Sequence, residues 1–392
     1  MGSNKKLLDW GNILFLTLSP LIGIVGTGIY IYFNGLHWFE ISLFILFYLM
    51  TGLSITAGYH RLFAHRSYEA GWALRLFYLI FGAAALQNTV LRWASDHRIH
   101  HKYVDSDRDP YNIKRGGFYA HIGWIFYKYT PDPSAANMTD FKNDPLVLWQ
   151  EKYYIPIAML AGFTLPALLG LTVGRPLGCL LWAGFFRVFF VHHMTFFINS
   201  LAHMVGRQPY SDKDTARDSW GLAFLTYGEG FHNFHHKFQA DYRNGVRWYQ
   251  WDPSKWLILA ADRLNLAWGL NRTPYRSILN ARLAMDLKRI RAKVHFAPHA
   301  PHDWKERIHL ELEKRKQRIE LAHTRFLEAK AAYIEMKKSR IERSKVFIDD
   351  YKRRLKLLEK RFEIRRAKWS DFLSDVIYQA RNFRSPAASS AI

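Results

Sequence analysis

Apolar residues along this chain gather into long blocks, and the polar residues between them gather into others. Four apolar blocks are long enough to cross a bilayer, which takes about 20 residues of helix. They run roughly over 12–33, 36–59, 153–173 and 177–204, with a tight Asn34-Gly35 turn between the first two. Segment 72–93 is also apolar, but Arg75, Gln87 and Asn88 interrupt it. That pattern predicts a helix at or dipping into the membrane interface rather than a span. Segment 205–275 is polar and aromatic-rich, with turn signals such as Asp252-Pro253. It is expected to be mostly helical and to pack against the loop 60–152 as one cap. The expected fold class is therefore an all-α integral-membrane protein with a membrane unit over 1–275.

The pattern changes after that. Residues 276–303, broken by Pro298 and Pro301, read as a linker. From Trp304 to about Arg381 neither Gly nor Pro occurs, which suits one long helix. Apolar residues recur there at heptad spacing: Leu312, Ile319, Phe326 and Tyr333, with Ala322, Ala329 and Met336. A register shifted by one residue follows, through Ile348, Leu355, Phe362, Trp369 and Val376, with Tyr351, Leu358 and Phe372. This is a coiled-coil signature with a discontinuity. It predicts pairing with a second copy or with an earlier part of the chain. Residues 382–392 read as a disordered end.

Charge sharpens the division. The chain carries a formal +22 although 49% of its residues are hydrophobic and 16% aromatic. Residues 276–392 hold 30 Lys or Arg against 15 Asp or Glu, and so supply about +15 of that excess. A basic helix of this kind is drawn to anionic lipid headgroups or to an acidic electron carrier. Nucleic acid is an unlikely partner, because charged heptad helices are ordinarily solvated coiled coils. The two short loops at 34–35 and 174–176 contain one basic residue, Arg175, while the opposite side is rich in Lys and Arg. The positive-inside rule then places both termini in the cytoplasm. A single cysteine, Cys179, excludes an internal disulfide. Arg187 falls inside the fourth block, where a charge is costly and marks either a site or a buried pairing.

Nine of the 18 histidines form a pattern. His60 and His65 make H-x-x-x-x-H after the second block. His97, His100 and His101 make H-x-x-H-H, as do His232, His235 and His236, and His203 ends the fourth block. On an α-helix, positions i, i+3 and i+4 share a face, so each H-x-x-H-H is expected to aim three imidazoles at one point. An i, i+5 pair is rotated by about 140° and is expected to serve two neighbouring metals. Nine neutral nitrogens are too many for one tetrahedral zinc and suit two metals of higher coordination, although imidazole alone does not choose the metal. His37, His192 and His193 read as structural, and His121 as an outer partner or a surface residue. Asp96, Asp109, Glu229 and Asn233 are candidates to orient the ring nitrogens.

These residues carry a resemblance. The stretches Thr56 to Tyr68 (TAGYHRLFAHRSY), Asp96 to Lys102 (DHRIHHK), Asn199 to His203 (NSLAH) and Gly228 to His236 (GEGFHNFHH) resemble the membrane acyl-CoA desaturases of the delta-9 or stearoyl-CoA type. The resemblance covers about residues 10–275. It implies four spans, a cytosolic cap and nine histidine ligands for two iron ions, with Asn199 acting through a bound water. It also implies a bent acyl tunnel, with Gln87, Trp93 and Thr195 at the bend and Tyr48 and Gly52 at the far end. Gly52 is expected to leave room for a C16–C18 chain. The activity it implies is O₂-dependent insertion of a cis double bond, delta-9 in type, into a saturated chain. Electrons come from a separate ferredoxin- or cytochrome b5-like donor, since no His-Pro-Gly-Gly signature of cytochrome b5 is present. At the carrier end the sequence departs from animal members of the family. Ser95 stands for an arginine, and of the basic pair at Lys128-Tyr129 only Lys128 remains, beside Asn88 and Asp96. Acyl-carrier protein or an intact lipid therefore stands beside CoA as the carrier. The nearest rival activity is that of a membrane hydroxylase or acetylenase with the same cage. Two Glu-x-x-His copies, at Glu306 and Glu320, lie 14 residues apart on one helix, about 21 Å, too far to share a metal.

Overall fold

The structure is a computed structural model that describes residues 7–128, 138–297, 299–338 and 345–383. Tyr129 and the expected disordered end from 384 onward fall outside the described residues. The chain divides into two compact units, Met1–Thr273 and Pro274–Ile392.

Four helices of the first unit are long and apolar enough to cross a membrane: Trp10–Asn34, Trp38–Ala64, Pro145–Leu171 and Pro176–Met204. Each contains a π-helical segment, at Ile22–Gly26, Ser54–Ala64, Leu160–Thr164 and Leu180–Phe186. Small residues let these helices approach closely, as is usual where no water drives association. A Cβ on Gly23 would lie 3.0 Å from the Phe185 carbonyl, and one on Gly162 would lie 3.3 Å from the Ala84 carbonyl oxygen. At one end of the bundle the buried Glu40 accepts hydrogen bonds from Arg175 Nε at 2.7 Å and from the Tyr30 hydroxyl at 3.0 Å. Arg175 also donates to the carbonyls of Asn34 and Gly35, so one guanidinium ties both short loops together. The lone cation of that side neutralises a buried carboxylate, which is why it stands there.

The 72–93 segment differs from its expected form. Its helix stops at Ala84, the chain turns through Leu86 (φ 57°) and Asn88 (φ 78°), and a new helix, Val90–Tyr103, begins after the Thr89 cap. Its inner face is buried at Tyr78, Leu79, Gly82, Ala83 and Ala84, against the second and third spans. Segment 205–273 also departs from the mostly helical expectation. It holds three short helices, Trp220–Leu225, His232–Lys237 and Pro253–Arg263, separated by turns. Gly206 and Gly228 adopt φ of 126° and 97°, which breaks any continuous helix. A two-stranded pairing of Glu69–Ala70 with Ala267–Trp268 ties the two parts of this cap.

The second unit contains three helices, Tyr275–His295, His302–Lys338 and Lys345–Asn382. Residues 276–303 are thus not a bare linker: Leu279, Leu283, Leu287, Ile290 and Val294 enter the same apolar core as Leu312, Ile319, Phe362, Trp369 and Val376. The long helix expected from 304 is divided in two, and the register slip in the heptads falls between the halves. Trp304 Nε1 donates to Gln379 Oε1, Arg365 to the Arg318 carbonyl, and Tyr333 stacks on Tyr351. These pairs set the two helices antiparallel. Among the heptad residues, Leu312, Ile319, Ala322, Phe362, Trp369 and Val376 are buried between the chain's own helices, while Phe326, Tyr333, Leu355 and Leu358 stay partly exposed.

Candidate metal centre

The H-x-x-x-x-H pair lies at the end of the second span, where Ser54–Ala64 is a π-helix. The His65 amide donates to the His60 carbonyl at 3.0 Å, an i→i+5 bond. In that geometry residues five apart stack on one face, so His60 and His65 point the same way, ring centroids 4.8 Å apart. The expectation that they serve different metals fails because it assumes an α-helix. The H-x-x-H-H motifs differ from expectation too. His97 and His101 join His60, His65 and His235 in one group of converging nitrogens, while His100 joins His203, His232 and His236 in another. In each motif the i, i+4 pair stays together and the i+3 residue, 100° around the helix from i+4, turns to the other group.

Both groups have the dimensions of a metal site. The Nε2 atoms approach one another at 2.8 Å (His65 and His97), 3.0 Å (His60 and His235; His101 and His235) and 3.0–3.1 Å (His236 and His232; His203 and His232). Ligands at right angles around an ion about 2.1 Å away would stand about 3.0 Å apart, by the usual imidazole bond length. Burial, reinforced by the crowd of neighbouring imidazoles, holds His65, His97, His101, His232 and His235 well below the ordinary histidine pKa. Neutral rings with free lone pairs are what a cation requires.

The opposite ring nitrogens are held from outside. His60 Nδ1 meets Glu229 at 3.0 Å, His100 Nδ1 meets Asp109 at 2.9 Å, His97 Nδ1 meets the Tyr111 hydroxyl at 3.2 Å and His203 Nδ1 meets Thr215 Oγ1 at 2.8 Å. Burial pushes the Glu229 carboxyl up, but His60 and Arg61 more than offset this and hold it down at about 2. Arg61 itself is fully buried, bonded to Glu229, to Asp252 and to the Tyr242 carbonyl. It joins the end of the second span to both later parts of the cap. Sequence reasoning missed Arg61, Tyr111 and Thr215; Arg61 could have been flagged as the one charge inside the His60–His65 turn. Two named candidates have other tasks. Asp96 pairs with Arg92 at 3.0 Å, and burial raises its carboxyl to about 6 despite that cation. Asn233 binds the backbone of Tyr210, Ser211 and Ala216. His121 approaches His193 and Ser200 at 3.0 Å, and His37 caps the Phe39 amide.

A cavity of about 410 Å³ reaches the histidines. Gln87, Asn88, Trp93, Asp96, Thr195 and Asn199 line it, together with His60 and His97. Gln87 Nε2 donates to Thr195 Oγ1 at 2.9 Å, Trp93 Nε1 donates to Gln87 Oε1 at 3.4 Å, and the Trp93 ring stacks on His97. The described lining does not include Tyr48, Gly52 or Lys128. Gly52 leaves no room: a Cβ there would collide with the Tyr227 ring, whose hydroxyl donates to the Tyr48 carbonyl at 3.0 Å.

Four membrane-length helices among the described residues, and nine imidazoles that converge in two groups where two of those helices meet the cap, define an integral-membrane protein with a histidine-built metal site. The chain belongs to the fatty acid desaturase family, whose family model matches residues 36–268. It is 42% identical over 299 residues to acyl-CoA desaturase 1 of Saccharomyces cerevisiae, covering 74% of this chain and 58% of that protein. It is 36% identical over 271 residues to the delta(9)-fatty-acid desaturase fat-6 of Caenorhabditis elegans, covering 67% and 79%. Over 234 residues it is 37% identical to an acyl-CoA delta(11) desaturase of Trichoplusia ni, covering 58% and 67%. The chain therefore spans under two thirds of the yeast relative's length.

Proposed function

We propose that this protein is an O₂-dependent acyl-CoA desaturase that places a cis double bond, delta-9 in type, in a saturated C16–C18 chain. The observation that carries the reading is the convergence of nine imidazoles into two adjacent groups, with His60 and His97 of the first group lining a cavity that Trp93, Thr195 and Phe196 also line. Two iron ions, held by His60, His65, His97, His101 and His235 and by His100, His203, His232 and His236, would supply the O₂ activation that an unactivated C–H bond demands. Asn199, which lines the cavity, would act on an ion through a bound water. The balance takes one acyl chain, O₂, two electrons and two protons to one alkene and two waters.

The protein's own groups fix position and exclude other outcomes. Gln87, Thr195 and Trp93 form a hydrogen-bonded bend beside His97, and the chain must turn there. Glu229, Asp109, Tyr111 and Thr215 hold the rings in one orientation and keep Nε2 free. Asn88, Asp96 and Lys128 are assigned to the carrier end, and CoA is favoured over acyl-carrier protein or intact lipid by the printed names of the relatives. The electron donor is a separate ferredoxin- or cytochrome b5-like protein. Both termini face the cytoplasm. The basic carboxy-terminal unit contacts anionic lipid headgroups or that donor. Pairing with a second copy would use the heptad positions that stay partly exposed, such as Phe326, Leu355 and Leu358.

The test is expression in a host unable to make unsaturated fatty acids, followed by mass spectrometry of the acyl products. A monoenoic acid with one dominant position is expected. A hydroxylated chain, or a triple bond, would replace this reading with that of a hydroxylase or acetylenase.

A further inference from the structure

We propose that Arg187 and His192, which sit in the fourth span outside both converging histidine groups, with His192 on the cavity lining, are positioning residues that decide which carbons of the substrate react. The proposal rests on the desaturase reading above. Its starting point is the break at 84–88. A helix that ends at Ala84 leaves its last carbonyls without intrahelical partners. Here they are met by side chains from another span: Arg187 donates to the Ala84 carbonyl at 2.5 Å and His192 lies 2.8 Å from the Ala85 carbonyl. Arg187 also donates to the carbonyls of Gly162 and Ala183, both at 3.0 Å. It is fully buried, and among the described residues its hydrogen bonds go to backbone carbonyls of three segments rather than to a carboxylate. A guanidinium spent in this way inside a span is costly, and its geometry shows what it secures.

Beyond those carbonyls the backbone does something unfavourable. Leu86 and Asn88 both adopt positive φ, a conformation that a leucine holds only when its surroundings fix it. The third span fixes the far side: Tyr154 accepts from the Asn88 amide at 3.0 Å, and Gln150 accepts from the Val90 amide at 2.8 Å. Gln87 is the residue between the two strained ones, and it is the residue that reaches Thr195 and Trp93 in the cavity. Thr195 lies on the same helix as Arg187 and His192. One rigid helix therefore carries an acyl-facing wall of the bend and the two groups that clamp the opposite wall to it. Small movements of the clamp translate into movement of Gln87 along the substrate.

The experiment compares full-length Arg187→Met, Arg187→Lys, His192→Leu and His192→Gln with the natural protein. Double-bond positions in the products, bound metal per chain and amide hydrogen exchange over 84–90 are measured together. In Arg187→Met and His192→Leu we expect metal content to hold, exchange over 84–90 to rise, and off-position product to increase about tenfold, equivalent to about 1.4 kcal/mol between competing transition states. His192→Gln keeps a donor for the Ala85 carbonyl and should restore most of the selectivity. If Arg187→Met fails to insert, the His192 pair and Arg187→Lys still give the answer. An unchanged product position in both His192→Leu and whichever Arg187 variant folds overturns the proposal. Loss of metal with loss of all products would instead make these residues part of the metal site's support, which also overturns it. Absence of any alkene from the natural protein would refute the desaturase reading itself, a separate outcome.

Discussion

The interiors of the two units are built from different material. Within 1–273 the buried set includes Glu40, Arg61, Arg187, Glu229, Asp252 and most of the clustered histidines. Within 274–392 the described core is Leu, Ile, Val, Phe, Trp, Ala and Met, with His323 the one buried titratable group among the described residues. Burying a charge is costly even when it is paired, and an apolar side chain of similar volume often does the structural task better. A unit that had only to fold would look like the second. The first keeps its polar interior because Arg61 and Asp252 hold Glu229 against His60, Asp109 holds His100, and Arg187 secures the carbonyls at the bend. Substitutions in the first unit should therefore change chemistry, whereas changes to the second should alter stability or association.

The strongest expected contrast comes from the histidines. Replacing any one of the nine by Ala should abolish desaturation while membrane insertion persists, and metal analysis should show fewer ions per chain. Full activity in several single variants would break the comparison, as would one metal per active chain.

Acidity should separate the units next. The folded values of His65, His97, His101, His232 and His235 lie below those of the unfolded chain, through burial and their neighbours. The unfolded state then binds more protons, so stability is full at higher pH and falls as pH drops through about 6.5, the unperturbed value. In chelator, the melting temperature of the first unit should fall between pH 8 and pH 6, and in a separate metal-loaded sample without chelator the metal should leave over the same range. A flat profile would mean the rings are not held neutral.

A smaller effect is expected at Gly52. Because the Tyr227 ring occupies the space a side chain would need, Gly52→Phe should destabilise the membrane unit by about 1–3 kcal/mol, the usual range for overpacking. Thermal denaturation in detergent measures this. A shift toward shorter acyl chains with unchanged stability would show instead that this position opens onto the tunnel.

The smallest effect on chemistry should follow removal of residues 274–392. Metal content and turnover at saturating donor should be unchanged, while binding to vesicles containing anionic lipid should weaken and lose its salt dependence. Loss of metal on truncation would make the second unit part of the catalytic fold.

Eight of the converging histidines were legible in the sequence because their motifs are local: spacing of one to five residues is visible in a string of letters, whereas His203 stands alone. Their division into two groups was not, because it turns on a π-helix at 54–64, and nothing in the apolar pattern there distinguishes a period of 3.6 from a wider one. The spans were legible from length and hydropathy, but the second runs on to Ala64 rather than Tyr59 for the same reason. The break at Leu86–Asn88 hides because a leucine at positive φ is the last residue a propensity argument would choose. In the second unit, the apolar positions at Leu279, Leu283, Leu287 and Ile290 were in view, but the basic residues among them read as a linker. The register slip was legible as a discontinuity, though not as the place where one helix folds back on another.

The division of the histidines also sets an order on synthesis. Four of the five nitrogens in the first group belong to residues 60–101, but the fifth waits for His235, and three of the four in the second group belong to residues 203–236. At about 5–20 residues per second, the interval between His101 and His236 lasts roughly 7 to 27 seconds. During that time a nascent chain exposes a partial set of imidazoles and inserts two more spans before either group can be closed. Neither group can therefore close before the third and fourth spans have been made, because the fourth span carries His203 and His232, His235 and His236 follow it.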